Sequence, residues 1–200
     1  TGTPCLDYDT VFGRFDTSAC IEALDLHDTA RAIWNASKVL MYGIGDSLLA
    51  CNLFAIDLLR IGITPIDAMR GSLCWAHSNL VRRDDVGLFV SYSGNWFPDL
   101  VKYMELIRKA QGRVIIVSSR EADLELRSHA DFVLKLPVGE DIRKSAGTLY
   151  SRVCTQYLLS CLYATVYSFD STHNDEVRSR VVSPWAEGWQ LTPHLGGLPL

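Results

Sequence analysis

Residues 84–119 read DDVGLFVSYSGNWFPDLVKYMELIRKAQGRVIIVSS, and the order of their parts decides the fold. An apolar run, Val86-Gly87-Leu88-Phe89-Val90, ends in a hydroxyl-rich turn, Ser91-Tyr92-Ser93-Gly94-Asn95. Pro98 opens a helical stretch that runs to about Gln111 and stops at Gly112, and Val114-Ile115-Ile116-Val117 follows as a second apolar run. Short apolar runs alternating with helical segments are the pattern of a parallel sheet covered on both faces.

The same alternation extends outward. Val39-Leu40-Met41-Tyr42-Gly43 reads as the first strand, and 47–60 as a helix with so many apolar positions (Leu48, Leu49, Leu53, Phe54, Ile56, Leu58, Leu59) that deep packing is expected. Residues 63–68 form a second strand, where Pro65 is tolerable only near an edge or an end. A short helix over 123–128 leads to a fifth strand at 132–136. Helical spacing also marks 21–34, ahead of the first strand, and 145–169, the longest helical candidate. The apolar residues of that last helix occupy more than one face, so it sits in the middle of the domain or is shared with a second subunit. Beyond Asp170 a polar stretch gives way to a tail rich in Pro, Gly and Trp, SPWAEGWQLTPHLGGLPL, expected to pack on the domain or on a partner. The division is thus an N-terminal extension over 1–19, one domain over 20–169 and a C-terminal extension over 170–200.

Composition sets the outer limits. Two hundred residues that are 48% hydrophobic and 21% charged exclude a disordered tail, a collagen-like repeat and a low-complexity linker. With 19 Lys and Arg against 23 Asp and Glu, the net charge of −4 disfavours nucleic-acid binding through this chain alone. Apolar stretches break well before the eighteen or so residues a membrane helix requires, so a soluble chain is expected. The start, TGTPCLDYD, has no initiator Met and neither the basic start nor the apolar core of a signal peptide, which reads as a fragment or a processed form. Cys5, Cys20, Cys51, Cys74, Cys154 and Cys161 include no C-x-x-C and no zinc spacing. They are expected to be reduced thiols of a cytoplasmic protein, with no metal and no cofactor.

Two strand-to-helix turns carry the chemistry, both at the carboxyl ends of strands, where open α/β sheets bind their ligands. In Gly43-Ile44-Gly45-Asp46-Ser47 the glycines allow close backbone approach, and Ser47 is placed either as an anion ligand or simply as a helix cap. In the second turn Ser91, Ser93, Gly94, Asn95 and the amides of the following helix can cradle phosphate oxygens without a lysine.

Together these turns resemble the sugar isomerase (SIS) domain family, whose ligands are phosphosugars. The likeness rests on VLMYGIGDSLLACNLFAIDLLRIG at 39–62, on the block at 84–119 and on HADFVLKLP at 129–137. It implies a three-layer αβα sandwich with a five-stranded parallel, flavodoxin-like sheet, and it assigns Ser47, Ser91 and Ser93 to phosphate, with Gly45, Gly94 and Asn95 completing the loops. One position departs from the pattern. Trp96 stands where the family carries a Thr, so that the ring either narrows the pocket or swings out onto a neighbouring helix. The stretch EDIRKSAGTLYSRVCTQYLLSCLY is similar to the end of the effector domain of RpiR-type transcription regulators. Ser151 and Arg152 match the Ser-Arg pair of that resemblance, and Arg152 can reach a ligand or pair with a carboxylate.

The resemblance implies a phosphosugar sensor that meets DNA only through a helix-turn-helix domain lying outside this chain. The apolar faces of 145–169 and the apolar tail over 184–200 lead to the expectation of a homodimer or higher homo-oligomer with much of its contact there. A sugar-phosphate isomerase is the alternative, and a degenerate SIS domain used for assembly is a third. An isomerase needs a Glu or His in its pocket. Residues 145–169 contain neither, leaving Glu140, Asp141 and His77, each of which also reads as an exposed or structural group.

Overall fold

The computed structural model describes residues 23–69, 73–119, 124–138 and 148–186. Its elements, in chain order, are α1 (Ala23–Trp34), β1 (Val39–Tyr42), α2 (Asp46–Arg60), β2 (Pro65–Asp67), α3 (Leu73–Asn79), β3 (Val86–Val90), α4 (Phe97–Lys109), β4 (Arg113–Ser118), α5 (Leu124–His129), β5 (Phe132–Lys135), α6 (Leu149–Ser168) and α7 (Ser171–Ala186). The five strands pair in the order β2-β1-β3-β4-β5, all parallel. Pro65 opens the edge strand β2, where its missing N–H costs no ladder bond in the middle of the sheet.

The strands are apolar throughout because each face has its own cover. Val39, Met41, Val86, Leu88, Val90, Ile115, Val117 and Leu134 look toward Ala30 and Ile33 of α1, Cys51, Phe54 and Leu58 of α2, and Cys154, Leu158 and Leu162 of α6. The alternate residues Leu40, Tyr42, Phe89, Val114 and Ile116 look toward Cys74 of α3 and Leu100, Met104 and Ile107 of α4. Strand periodicity thus divides one sheet between two cores, the middle layer of an αβα sandwich.

The structure bears on four sequence expectations. The α2 helix buries only Ala50, Cys51, Phe54 and Leu58, leaving Leu49, Leu53, Ile56 and Leu59 exposed along one side. A helix on one face of a sheet has room to bury only a stripe. The α6 helix settles between α1 and α2 of its own chain, burying Tyr150, Cys154, Leu158, Leu159, Leu162 and Val166. The first part of the segment beyond Asp170 is the helix α7, held by Asn174, whose Nδ2 donates to the Tyr167 carbonyl at 2.9 Å. At the end of α4 the left-handed residue is Gln111 (φ 62°) and not Gly112. The expected elements at 1–22, the tail from residue 187 and the start of the long helix at 145–147 lie outside the described residues.

Among the described residues no helix is long and apolar enough to cross a membrane. Cys51, Cys74, Cys154 and Cys161 are free thiols, and burial pushes the Cys51 thiol up to about 12.

Candidate functional site

Strand order reverses between β1 and β3, and in a doubly wound sheet the turns on either side of such a reversal diverge and leave a crevice. The turns after β1 and β3 and the start of α6 enclose a cavity of about 140 Å³ here, lined by Ile44, Asp46, Ser47, Ser91, Tyr92, Ser93, Trp96, Thr148, Ser151, Arg152 and Thr155. Of the residues expected from sequence, Ser47, Ser91, Ser93, Trp96 and Arg152 line it. Gly45, Gly94 and Asn95 belong to the same two turns without lining the cavity.

Each turn is shaped for close approach. Gly43 must be glycine because a Cβ there would stand 2.9 Å from the Leu48 nitrogen and 3.0 Å from the Ser47 carbonyl carbon. Gly45 adopts φ 60°, ψ −128°, a region open essentially to glycine, and its carbonyl accepts the N–H of Leu48 and of Leu49. The second turn is pinned from below. The Ser91 N–H donates to the Val117 carbonyl at 3.0 Å, the Ser118 and Ser119 hydroxyls donate to the Tyr92 carbonyl, and the Tyr92 hydroxyl donates to the Pro137 carbonyl at 3.0 Å. At the tip the Gly94 N–H donates to the Ser91 carbonyl and the Asn95 N–H reaches the Ser93 hydroxyl at 3.4 Å.

Three helices begin at this cavity, and none carries a side-chain cap. The residues preceding them are Gly45 for α2, Trp96 for α4 and Thr148 for α6. The first N–H groups of a helix have no intrahelical partner and carry the positive end of its dipole, so helix starts at the wall make the cavity receptive to negative charge.

One anion stands there already. Asp46, in the first turn of α2, accepts the Thr148 hydroxyl, and the Arg152 Nη2 approaches its two carboxylate oxygens at 3.2 and 3.3 Å. The Thr148 hydroxyl, and after it the Arg152 guanidinium, hold the Asp46 carboxyl below its ordinary range against the opposing effect of burial. Arg152 thus takes the second of the two roles open to it in the sequence, pairing with a carboxylate at the cavity wall. Trp96 is on the lining with half its surface exposed, so the ring stands at the mouth.

Sequence reading missed Thr148 and Thr155, quoted Asp46 in its turn without a role, and matched Ser151 only as the neighbour of Arg152 in a Ser-Arg pair. Their signal was weak, since an acidic residue in a helix's first turn is an ordinary dipole complement. No Glu or His lines the cavity among the described residues. His77 is on α3, His129 ends α5, and Glu140 and Asp141 lie outside the described residues.

The fold and cavity define an α/β domain with a hydroxyl-lined cavity at the switch point of its sheet. Residues 32–165 match the model of the SIS domain family, and the chain belongs to that family. It is 29% identical over 134 residues to an uncharacterized HTH-type transcriptional regulator of Clostridium perfringens, covering 67% of this chain and 47% of that protein. It is 28% identical over 150 residues to an isomerizing glutamine–fructose-6-phosphate aminotransferase of Pyrobaculum aerophilum, covering 74% of this chain and 24% of that protein. The chain therefore spans about half of the one and a quarter of the other. Among solved structures, the Vibrio vulnificus NanR protein complexed with ManNAc-6P superposes with a TM-score of 0.74 at 21% identity, covering 88% of this chain and 68% of that one. The sugar isomerase domain of an RpiR transcription factor from Sphaerobacter thermophilus superposes at 0.69 with 18% identity, covering 84% and 90%. These two likenesses establish the fold.

Proposed function

We propose that this chain is the phosphosugar-sensing effector domain of an RpiR-type transcription regulator. The observation that carries the reading is the meeting of three uncapped helix N-termini in one cavity lined by the hydroxyls of Ser47, Ser91, Ser93, Thr148, Ser151 and Thr155. Such a cavity binds phosphate by dipoles and hydrogen bonds and leaves the net charge of the chain free to be negative. The phosphoryl group is placed among these hydroxyls, with the sugar toward Trp96 at the mouth. The regulator relative and the ManNAc-6P complex of NanR support the choice of ligand class and of role.

In this reading Ser47, Ser91 and Ser93 contact the phosphate, with Gly45, Gly94 and Asn95 holding the loops and Arg152 adding charge. The protein works in the cytoplasm as a homodimer, and DNA is bound by a helix-turn-helix domain outside this chain. The exposed Leu49, Leu53, Ile56 and Leu59 of α2 offer a second copy the apolar stripe it needs. Sedimentation equilibrium of the chain beside a Leu53→Glu/Ile56→Glu variant tests this, with a dimer expected for the first and a monomer for the second.

Calorimetric titration of the wild type and Ser91→Ala against a panel of sugar phosphates tests the site. Losing a hydrogen bond to a charged phosphate costs about 1.5–3 kcal/mol, or roughly tenfold to a hundredfold in affinity. Equal affinities remove the second turn from the site, and turnover of the bound sugar replaces the sensor by an isomerase.

A further inference from the structure

Asp46 puts a negative charge where the rest of the cavity is arranged to receive one. A first-turn carboxylate ordinarily serves its own helix, yet the side-chain partners of Asp46 come from α6: the Thr148 hydroxyl, and the Arg152 guanidinium at 3.2 Å. Thr148 precedes α6 at the position where a Thr usually caps, but its hydroxyl donates its hydrogen bond to Asp46 and makes no cap bond. The one cation on the cavity lining among the described residues and a neighbouring hydroxyl are therefore both engaged by a carboxylate of the cavity itself.

We propose that Asp46 is a built-in competitor for the ligand's anionic group, holding Arg152 and Thr148 until an incoming anion takes them over. The inference rests on the reading of the cavity as an anion site and adds its selection rule. A neutral sugar has no charge with which to displace Asp46 from Arg152, so it leaves the clasp closed. A phosphomonoester brings up to two charges, which take the guanidinium and the α6 N-terminus while repelling Asp46. Asp46 thereby lowers affinity for every anion, and only a ligand with enough negative charge to displace it opens the clasp.

The test is a double-mutant cycle on the full chain, with inorganic phosphate and glucose 6-phosphate as probes, read by calorimetry at low and at high salt. Asp46→Asn frees both α6 groups and removes a repelling charge a few ångströms from the probe, so both probes bind about tenfold tighter. The gain shrinks as salt screens the repulsion and falls to threefold or less in the Arg152→Gln background, where there is no guanidinium to release. Near-unchanged melting temperatures confirm that both variants fold, as expected for half-exposed partners. In the wild type, phosphate also shifts the Arg152 side-chain N–H resonance as the guanidinium changes partners. If the wild type binds, Ser91→Ala weakens binding and Asp46→Asn leaves it unchanged or weaker, Asp46 is a positioning residue and the proposal is overturned while the anion site stands. If neither the wild type nor Asp46→Asn binds either probe, the site reading and the proposal fall together.

Discussion

Gly43 and Gly45 are two residues apart in one turn, and replacing each with alanine should fail for different physical reasons. At Gly43 the obstacle is space. An added Cβ meets the Leu48 nitrogen at 2.9 Å, the Ser47 carbonyl carbon at 3.0 Å and the Ser47 carbonyl oxygen at 3.1 Å, all backbone atoms of the first turn of α2. Ordinary contact begins near 3.4 Å, so relief requires moving the helix start by a few tenths of an ångström, and no rotamer change can supply it. Over-packing of that kind costs about 1–3 kcal/mol. At Gly45 there is ample space, since a Cβ meets nothing within 4 Å. The cost there is conformational, about 1–3 kcal/mol for holding φ 60°, ψ −128°. Asparagine separates the two cases further. It tolerates the left-handed helical region near ψ +47°, but Gly45 lies far from that, so Gly45→Asn should be no better than Gly45→Ala. Urea denaturation measures the stabilities, and phosphate titration measures the site. Gly43→Ala is expected to lose both stability and at least tenfold in phosphate affinity, because the displaced helix start carries Ser47. A Gly43→Ala protein within 0.5 kcal/mol of wild type, or a Gly45→Asn protein recovering most of the Gly45→Ala loss, would refute the argument.

Asp85→Ala should cost about 2–3 kcal/mol in urea denaturation, because the buried Asp85 carboxylate accepts the Arg82 N–H at 2.6 Å and pairs with Lys38 at 3.3 Å. A loss under 1 kcal/mol would show that the Lys38 bond to the Leu80 carbonyl suffices alone. Trp96→Thr, at a half-exposed ring, should change stability by less than about 1 kcal/mol while widening the range of sugar phosphates bound; a loss of 3 kcal/mol or more would mean that the ring is core. Arg152→Gln should raise the Asp46 carboxyl toward its ordinary range in a carbon-detected NMR titration. Because the folded value is the lowered one, the stability this clasp contributes is present above the unfolded value of about 3.9 and is lost as pH falls through the folded value; an Asp46 that titrates identically in the variant contradicts the assigned cause.

The sheet was legible because its strands are short apolar runs stopped by glycine or hydroxyl turns, and both loops of the candidate site sit at such stops. The Pro65 edge position followed from one missing N–H. Other parts could not be read. The α3 helix is seven residues long, LCWAHSN, too short to show a period. The α7 helix, STHNDEVRSRVVSPWA, is largely polar with a Pro near its end, and what fixes it is Asn174 meeting a carbonyl of the preceding helix. The exposure of Leu49, Leu53, Ile56 and Leu59 depends on how much of α2 its neighbours cover, which no local pattern encodes. The role of Asp46 was hidden for the same reason, since the Thr148 hydroxyl that binds it comes from 102 residues downstream.

The two cores on either side of the sheet differ in how far the chain must travel to close them. The α3/α4 face draws its buried residues from between Leu40 and Ile116, mostly from consecutive strand-helix-strand units. The opposite face draws on Leu26 through Val166 and requires α6 to return across nearly the whole chain to lie against α1 and α2. Loop-closure entropy opposes the second event more than the first, so the α6 layer is expected to assemble late in folding. Thr148, Ser151 and Arg152 arrive with that layer. The cavity is then a product of the last step, absent from a transition state that contains only the local units. A ligand bound there would slow unfolding while leaving the folding rate nearly untouched.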